Sequence, residues 1–205
     1  MQQKHTFLAL GDSYTIGESV SESERWPMQL VAMFNKKGRN YTEPRIIAKT
    51  GWTTGELQSA VSEATIIDTY DLVSLLIGVN NQYRGNDPEE YRKEFKALLE
   101  QAIGFAGGRR KRVFVVSIPD WGVTPFAEGR DRAEIAKMIG VFNAIGKKEA
   151  EAAGVIFIDI TPGSKKAATD IELVAGDGLH PSGKMYLKWA ETIFEKIVSV
   201  HLIDN

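Results

Sequence analysis

Residues 6–13, Thr6-Phe7-Leu8-Ala9-Leu10-Gly11-Asp12-Ser13, decide what kind of sheet this chain builds. Thr6 to Leu10 is a short apolar run, stopped at once by a glycine and two small polar residues. A run this brief, bounded by a turn signal, reads as a strand buried on both faces. Such strands lie inside sheets covered by helices on either side. Their ligands bind just beyond the carboxyl ends of the strands, which puts the residues after Leu10 where chemistry is expected.

Working outward, the pattern repeats. Trp26, Leu30, Met33 and Phe34 keep helical spacing up to Gly38, and Arg45 to Ala48 is a second strand. Thr53 or Thr54 caps a helix running through Ala64, and Asp71 to Ile77 is a third strand. Asp87-Pro88-Glu89-Glu90 is a helix start, with Asp as cap and Pro in the first turn; that helix runs to about Phe105. Arg112 to Ser117 is a fourth strand, Asp131 to Ala153 a long helix closed by Gly154, and Val155 to Ile160 a fifth strand. Pro181 to Val200 is a last helix. Five short, continuous, β-branched strands alternating with helices predict right-handed crossovers and one parallel sheet. The expected architecture is α/β, a three-layer α/β/α sandwich of flavodoxin-like type. No repeat or linker divides residues 1–205, so a single domain is expected.

The composition of the 205 residues fits an ordinary globular protein: 43% hydrophobic, 25% charged, net charge −2. That balance lacks the basic face that grips nucleic acid. With no cysteine, disulfide scaffolds, thiolate zinc sites and cysteine nucleophiles are excluded. No apolar run approaches the roughly 18 residues of a membrane span. The amino terminus has neither the apolar core nor the cleavage site of a signal peptide, so a cytoplasmic location is expected.

The strand ends carry the polar residues. Gly11-Asp12-Ser13-Tyr14 follows the first strand, Thr50-Gly51-Trp52 the second and Gly78-Val79-Asn80-Asn81 the third; Asp177-Gly178-Leu179-His180-Pro181 precedes the last helix. Of three histidines, His5 falls at the wrong end of the sheet and His201 in the carboxy-terminal tail. If a histidine base exists, it is His180. Read alone, His180 serves equally well as a helix cap. Asp177, three residues earlier in a glycine-containing turn, can reach its Nδ1 and leave Nε2 to take a proton. Ser13 is a weak nucleophile without such a base. The backbone N–H groups of Ser13 and Gly51 and the amide of Asn80 are donors suited to an oxyanion.

These blocks, in this order, resemble the SGNH (GDSL) hydrolase family across nearly the whole chain. The resemblance implies Ser13 as nucleophile, Asp177 and His180 completing a triad, and Ser13, Gly51 and Asn80 as the oxyanion hole. Two positions depart from the family pattern. Tyr14 stands where the motif has Leu, and Asn81 where an Asp often follows the block's Asn.

Other motifs fall away. Thr15 occupies the second glycine's place in the Gly-x-Ser-x-Gly elbow of the common α/β-hydrolases. Gly178 to Met185 stops one residue short of a nucleotide P-loop, and Met185 cannot ligate Mg²⁺. Trp52, Tyr83, Trp121 and Phe126 suit an acyl or sugar pocket, and equally the edge of the core. Arg109 to Arg112 reads as a solvated loop at the far end of the sheet. The expected activity is hydrolysis of small or short-chain carboxylic esters through an acyl-enzyme. No cofactor, metal, nucleic-acid partner or membrane span is expected. The rivals are a thioesterase or lysophospholipase with the same triad, and a non-catalytic small-ligand-binding protein on the same fold.

Overall fold

A computed structural model describes residues 4–66 and 69–200. Its five strands are β1 (Phe7–Gly11), β2 (Arg45–Ala48), β3 (Leu72–Leu76), β4 (Val113–Val116) and β5 (Ile156–Ile158). They form one sheet in the order β2-β1-β3-β4-β5, with every neighbouring pair parallel. β1, β3 and β4 are buried along their whole length, while the edge strands β2 and β5 are mostly half-buried.

The helices are α1 (Ser13–Ile16), α2 (Trp26–Lys36), α3 (Thr54–Glu63), α4 (Val79–Tyr83), α5 (Pro88–Phe105), α6 (Arg132–Ala152), α7 (Thr161–Ser164) and α8 (Gly183–Ser199). α2 packs on α8, and α3, α5 and α6 pack side by side. Beside α2, Phe7, Trp26 and Phe114 gather with ring centroids 6.1–6.3 Å apart. In the α5–α6 layer, Tyr91 meets Phe95 and Phe142 at 5.4 and 4.7 Å. Fully burying a side chain of this size stabilises by about 1.5–3 kcal/mol, so these clusters bind the layers to the sheet.

The helix ends follow local chemistry. Asp87 accepts from the N–H groups of Glu89 and Glu90 ahead of α5, and Asp131 from Glu134 ahead of α6. Thr53 and Glu56 make a reciprocal capping box on α3. The last helix starts two residues later than its hydrophobic pattern suggests, because Ser182 caps it by accepting from Met185 N–H. His180 is therefore not that helix's cap. Among the described residues, no helix is long and apolar enough to cross a membrane.

β1 and β3 run so close at their carboxyl ends that Gly11 has no room for a side chain. A Cβ there would stand 2.5 Å from the Leu76 carbonyl oxygen and 2.2 Å from Thr15 Oγ1. Gly11→Ala is expected to lower stability by about 3 kcal/mol, since backbone on the neighbouring strand must move. A urea-unfolding midpoint equal to wild type would show that the strands separate without cost.

Candidate active site

Gly11 ends β1, and Asp12 takes extended backbone angles at the cap of α1 while its Oδ1 accepts from Tyr14 N–H at 3.0 Å. The chain turns into α1 at once, which puts Ser13 on the first helical residue, buried but facing a cavity. Two residues past β3, Gly78 takes a φ of +125° and turns the chain into α4; a Cβ there would lie 2.6 Å from the Tyr91 ring. Asn80 follows, and its Nδ2 donates to the Trp52 carbonyl at 2.9 Å. After β2, Gly51 takes a φ of +86°, and its carbonyl accepts from Arg84 at 2.6 Å. Among the described residues, neither the Gly51 N–H nor the Ser13 N–H has an acceptor.

Asp177 and His180 lie in the turn before α8. Asp177 Oδ2 stands 2.6 Å from His180 Nδ1, and Oδ1 accepts from the N–H groups of Leu179 and His180, both at 2.9 Å. Ser19 adds a fourth donor, its hydroxyl 2.7 Å from Oδ2. Partial burial opposes the charge on Asp177. The donors from His180, Leu179 and Ser19 outweigh it and hold the carboxyl well below its usual range. Nδ1 is thus engaged by the carboxylate, and Nε2 is the other ring nitrogen.

Ser13, Gly51, Asn80 and His180 line one cavity of about 180 Å³, with Tyr14, Tyr83, Trp121 and Phe126 among its walls. Trp52 is not part of that lining. Its ring packs against the core, and its carbonyl positions Asn80. Tyr14, the departure from Leu, sets its buried ring 5.4 Å from the His180 ring and 6.1 Å from Trp189. Asn81, the other departure, is buried; it donates to Thr54 Oγ1 at 2.7 Å and accepts from Thr54 N–H at 3.0 Å. Thr54 in turn donates to Glu94. An amide can both donate and accept here, as a carboxylate could not.

His5 sits at the opposite end of the sheet beside Tyr41 and 3.8 Å from Asp71; His201 lies outside the described residues. In the basic run, Arg112 pairs with Asp71 at 2.6 Å and Arg109 donates to Ala106 and Tyr70 carbonyls, so two of its four cations are tied to the fold. Among the described residues, no three His, Asp or Glu side chains gather where a metal ion could sit.

Three supports of the site have no local sequence signal. Ser19 has a φ of +65°, unusual for a residue with a Cβ, and so carries its hydroxyl to Asp177. Glu18 accepts from Thr50, the neighbour of Gly51. Arg84 joins the Gly51 turn to Glu56, 3.2 Å away.

A doubly wound sheet with a serine, a carboxylate-paired imidazole and turn amides at its switch point describes a class, the α/β ester hydrolases. Within that class, the chain belongs to the GDSL-like Lipase/Acylhydrolase family, whose model matches residues 9–188. No curated protein matches it significantly. Among solved structures, it is similar to TesA, at a TM-score of 0.75 and 17% identity over 98% of this chain and 100% of that one. It is also similar to the psychrotrophic esterase EstA from Pseudoalteromonas sp., at 0.71 and 15% over 96% and 98%. The acetylxylan esterase Axe2 from Geobacillus stearothermophilus gives 0.71 and 17% over 94% of each chain. At these identities the likeness is one of fold.

Asp12 behaves in the opposite way to Asp177. It is fully buried, its Oδ2 has no partner, and burial pushes its pKa up to about 7 against the opposing pull of the Tyr14 N–H. The folded state therefore holds this proton more tightly than the unfolded chain. That stabilisation is complete below the ordinary value of 3.8 and is lost as pH rises to about 7. Asp12→Asn keeps the cap but cannot titrate. The melting temperature of the variant relative to wild type should rise between about pH 4.5 and about pH 8. A difference that stays constant across that range would show that Asp12 does not titrate on folding.

Proposed function

We propose that this chain, acting as one hydrolase domain over residues 1–205, is a serine esterase that cleaves short-chain carboxylic esters through an acyl-enzyme. The observation that carries the reading is the 2.6 Å pairing of Asp177 with His180 beside a cavity that Ser13, Gly51 and Asn80 also line.

In this reading, Ser13 Oγ attacks the ester carbonyl while His180 Nε2 accepts its proton. The Ser13 and Gly51 N–H groups and the Asn80 amide receive the negative charge that develops on the carbonyl oxygen. His180 then protonates the departing alcohol, leaving the acyl group on Ser13. Water, deprotonated by the same imidazole, releases the acid. Asp177 stays ionised throughout and stabilises the transient imidazolium. The route needs no cofactor.

The cavity of about 180 Å³ is the reason for a short acyl group. An acetyl or butyryl chain fits within it beside Ser13. Its walls are apolar where Val79, Leu179, Tyr83, Trp121 and Phe126 face it.

Wild type is expected to hydrolyse p-nitrophenyl acetate and butyrate faster than the palmitate, and faster than the matching acyl thioesters. Ser13→Ala should abolish turnover, and a fluorophosphonate should label wild type at Ser13 alone. Asn80→Ala should lower kcat by about 10²–10³ with little change in KM. Full activity in Ser13→Ala would leave the chain without its nucleophile. An Asn80→Ala effect confined to KM would assign that amide to ground-state binding.

A further inference from the structure

One wall of the cavity is built from three aromatic rings, with the guanidinium of Arg130 set against them. Tyr83 comes from α4, and Trp121 and Phe126 from the segment after β4. Their ring centroids lie 5.4, 6.0 and 6.3 Å apart. The guanidinium carbon of Arg130 stands 5.2 Å from the Tyr83 ring, 5.5 Å from Trp121 and 5.1 Å from Phe126, so one planar cation covers all three. Its Nη2 also donates to the Tyr83 hydroxyl at 3.2 Å.

Arg130 has no carboxylate partner among the described residues. The three rings line the cavity, and Arg130 is not among its lining residues. The rings differ in what else holds them. Trp121 is 4% exposed, and its Nε1 donates to Gln82 at 2.8 Å. Tyr83 and Phe126 are 46% and 40% exposed and lack comparable packing. Beyond the contacts the rings make with one another, Arg130 is the one group set against all three.

We propose that Arg130 is the specificity-determining residue for acyl length: by capping the three rings it keeps Tyr83 and Phe126 folded over the end of the cavity and confines it to short acyl groups. The inference rests on reading this cavity as the acyl pocket of a serine esterase. Without the guanidinium, Tyr83 and Phe126 can swing toward solvent, and the cavity opens at that end. The oxyanion donors and the Asp177–His180 pair are untouched, because none of them contacts Arg130.

The test is kcat/KM for p-nitrophenyl acetate, butyrate and octanoate with wild type, Arg130→Ala and Arg130→Lys, alongside a second series that holds acetyl constant and lengthens the alcohol. In Arg130→Ala the octanoate-to-acetate ratio should rise about tenfold, carried by a lower KM for octanoate, while acetate turnover falls by less than about threefold. Arg130→Lys should fall between, since a compact ammonium cannot cover three rings at once. An unchanged or lowered ratio, or one that responds only in the alcohol series, overturns the assignment of Arg130 to acyl length. A wild type that cleaves none of these esters is a different result: it sinks the esterase reading and this inference with it.

Discussion

The close approach of β1 and β3 at their carboxyl ends is the constraint on which the site depends. These two central strands meet at Gly11 and Leu76, where there is no space for a Cβ. The order β2-β1-β3-β4-β5 makes this pair the point where successive connections depart in opposite directions, the crevice in which doubly wound sheets bind ligands. From it the chain turns into two short helices. One starts with Ser13. The other carries Asn80 and Tyr83 and is entered through Gly78, where only a glycine fits beneath Tyr91. Ser13, Asn80 and one ring of the cavity wall thus take their places from a few ångströms of backbone geometry.

Two carboxylates near the serine are driven in opposite directions, and the contrast makes chemical sense. Asp177 has four donors within hydrogen-bonding distance and stays charged, the state that can orient and stabilise a protonated His180. Asp12 lies directly before Ser13 in a fully buried place with one oxygen unpartnered, and burial disfavours its charge. A negative charge is therefore favoured beside the His180 imidazole and disfavoured next to Ser13; in the proposed mechanism a charge at Asp12 would oppose the developing oxyanion.

The parts of this arrangement that were legible in the sequence are those with a local or periodic signal. The buried strands show as apolar runs, α5 and α6 as amphipathic stretches between Asp caps and glycine stops, and Asp177 and His180 as close neighbours in one turn. The helices Ser13–Ile16 and Val79–Tyr83 are too short to display a helical period, so they read only as turns. β2 and β5 look like β1 in sequence, yet as edge strands they are only half-covered. The remaining features are contacts between distant residues. Ser19 meets Asp177 across 158 positions, Arg84 meets Gly51 across 33, and Arg130 meets Tyr83 across 47. Each is a polar residue in an irregular segment, and nothing in its own neighbourhood names its partner. Trp52 shows the converse: an aromatic at a strand end whose backbone, not its ring, supports the site.

The proposed mechanism puts Ser13, Gly51 and Asn80 around one reacting carbon, with His180 beside it. The most direct measurement is a crystal structure of the protein after reaction with a small organophosphate. Phosphorus is expected on Ser13 Oγ, with one phosphoryl oxygen roughly 2.7–3.1 Å from the Ser13 and Gly51 backbone nitrogens and Asn80 Nδ2. An adduct on another residue, or a phosphoryl oxygen turned to solvent away from those three donors, would contradict it.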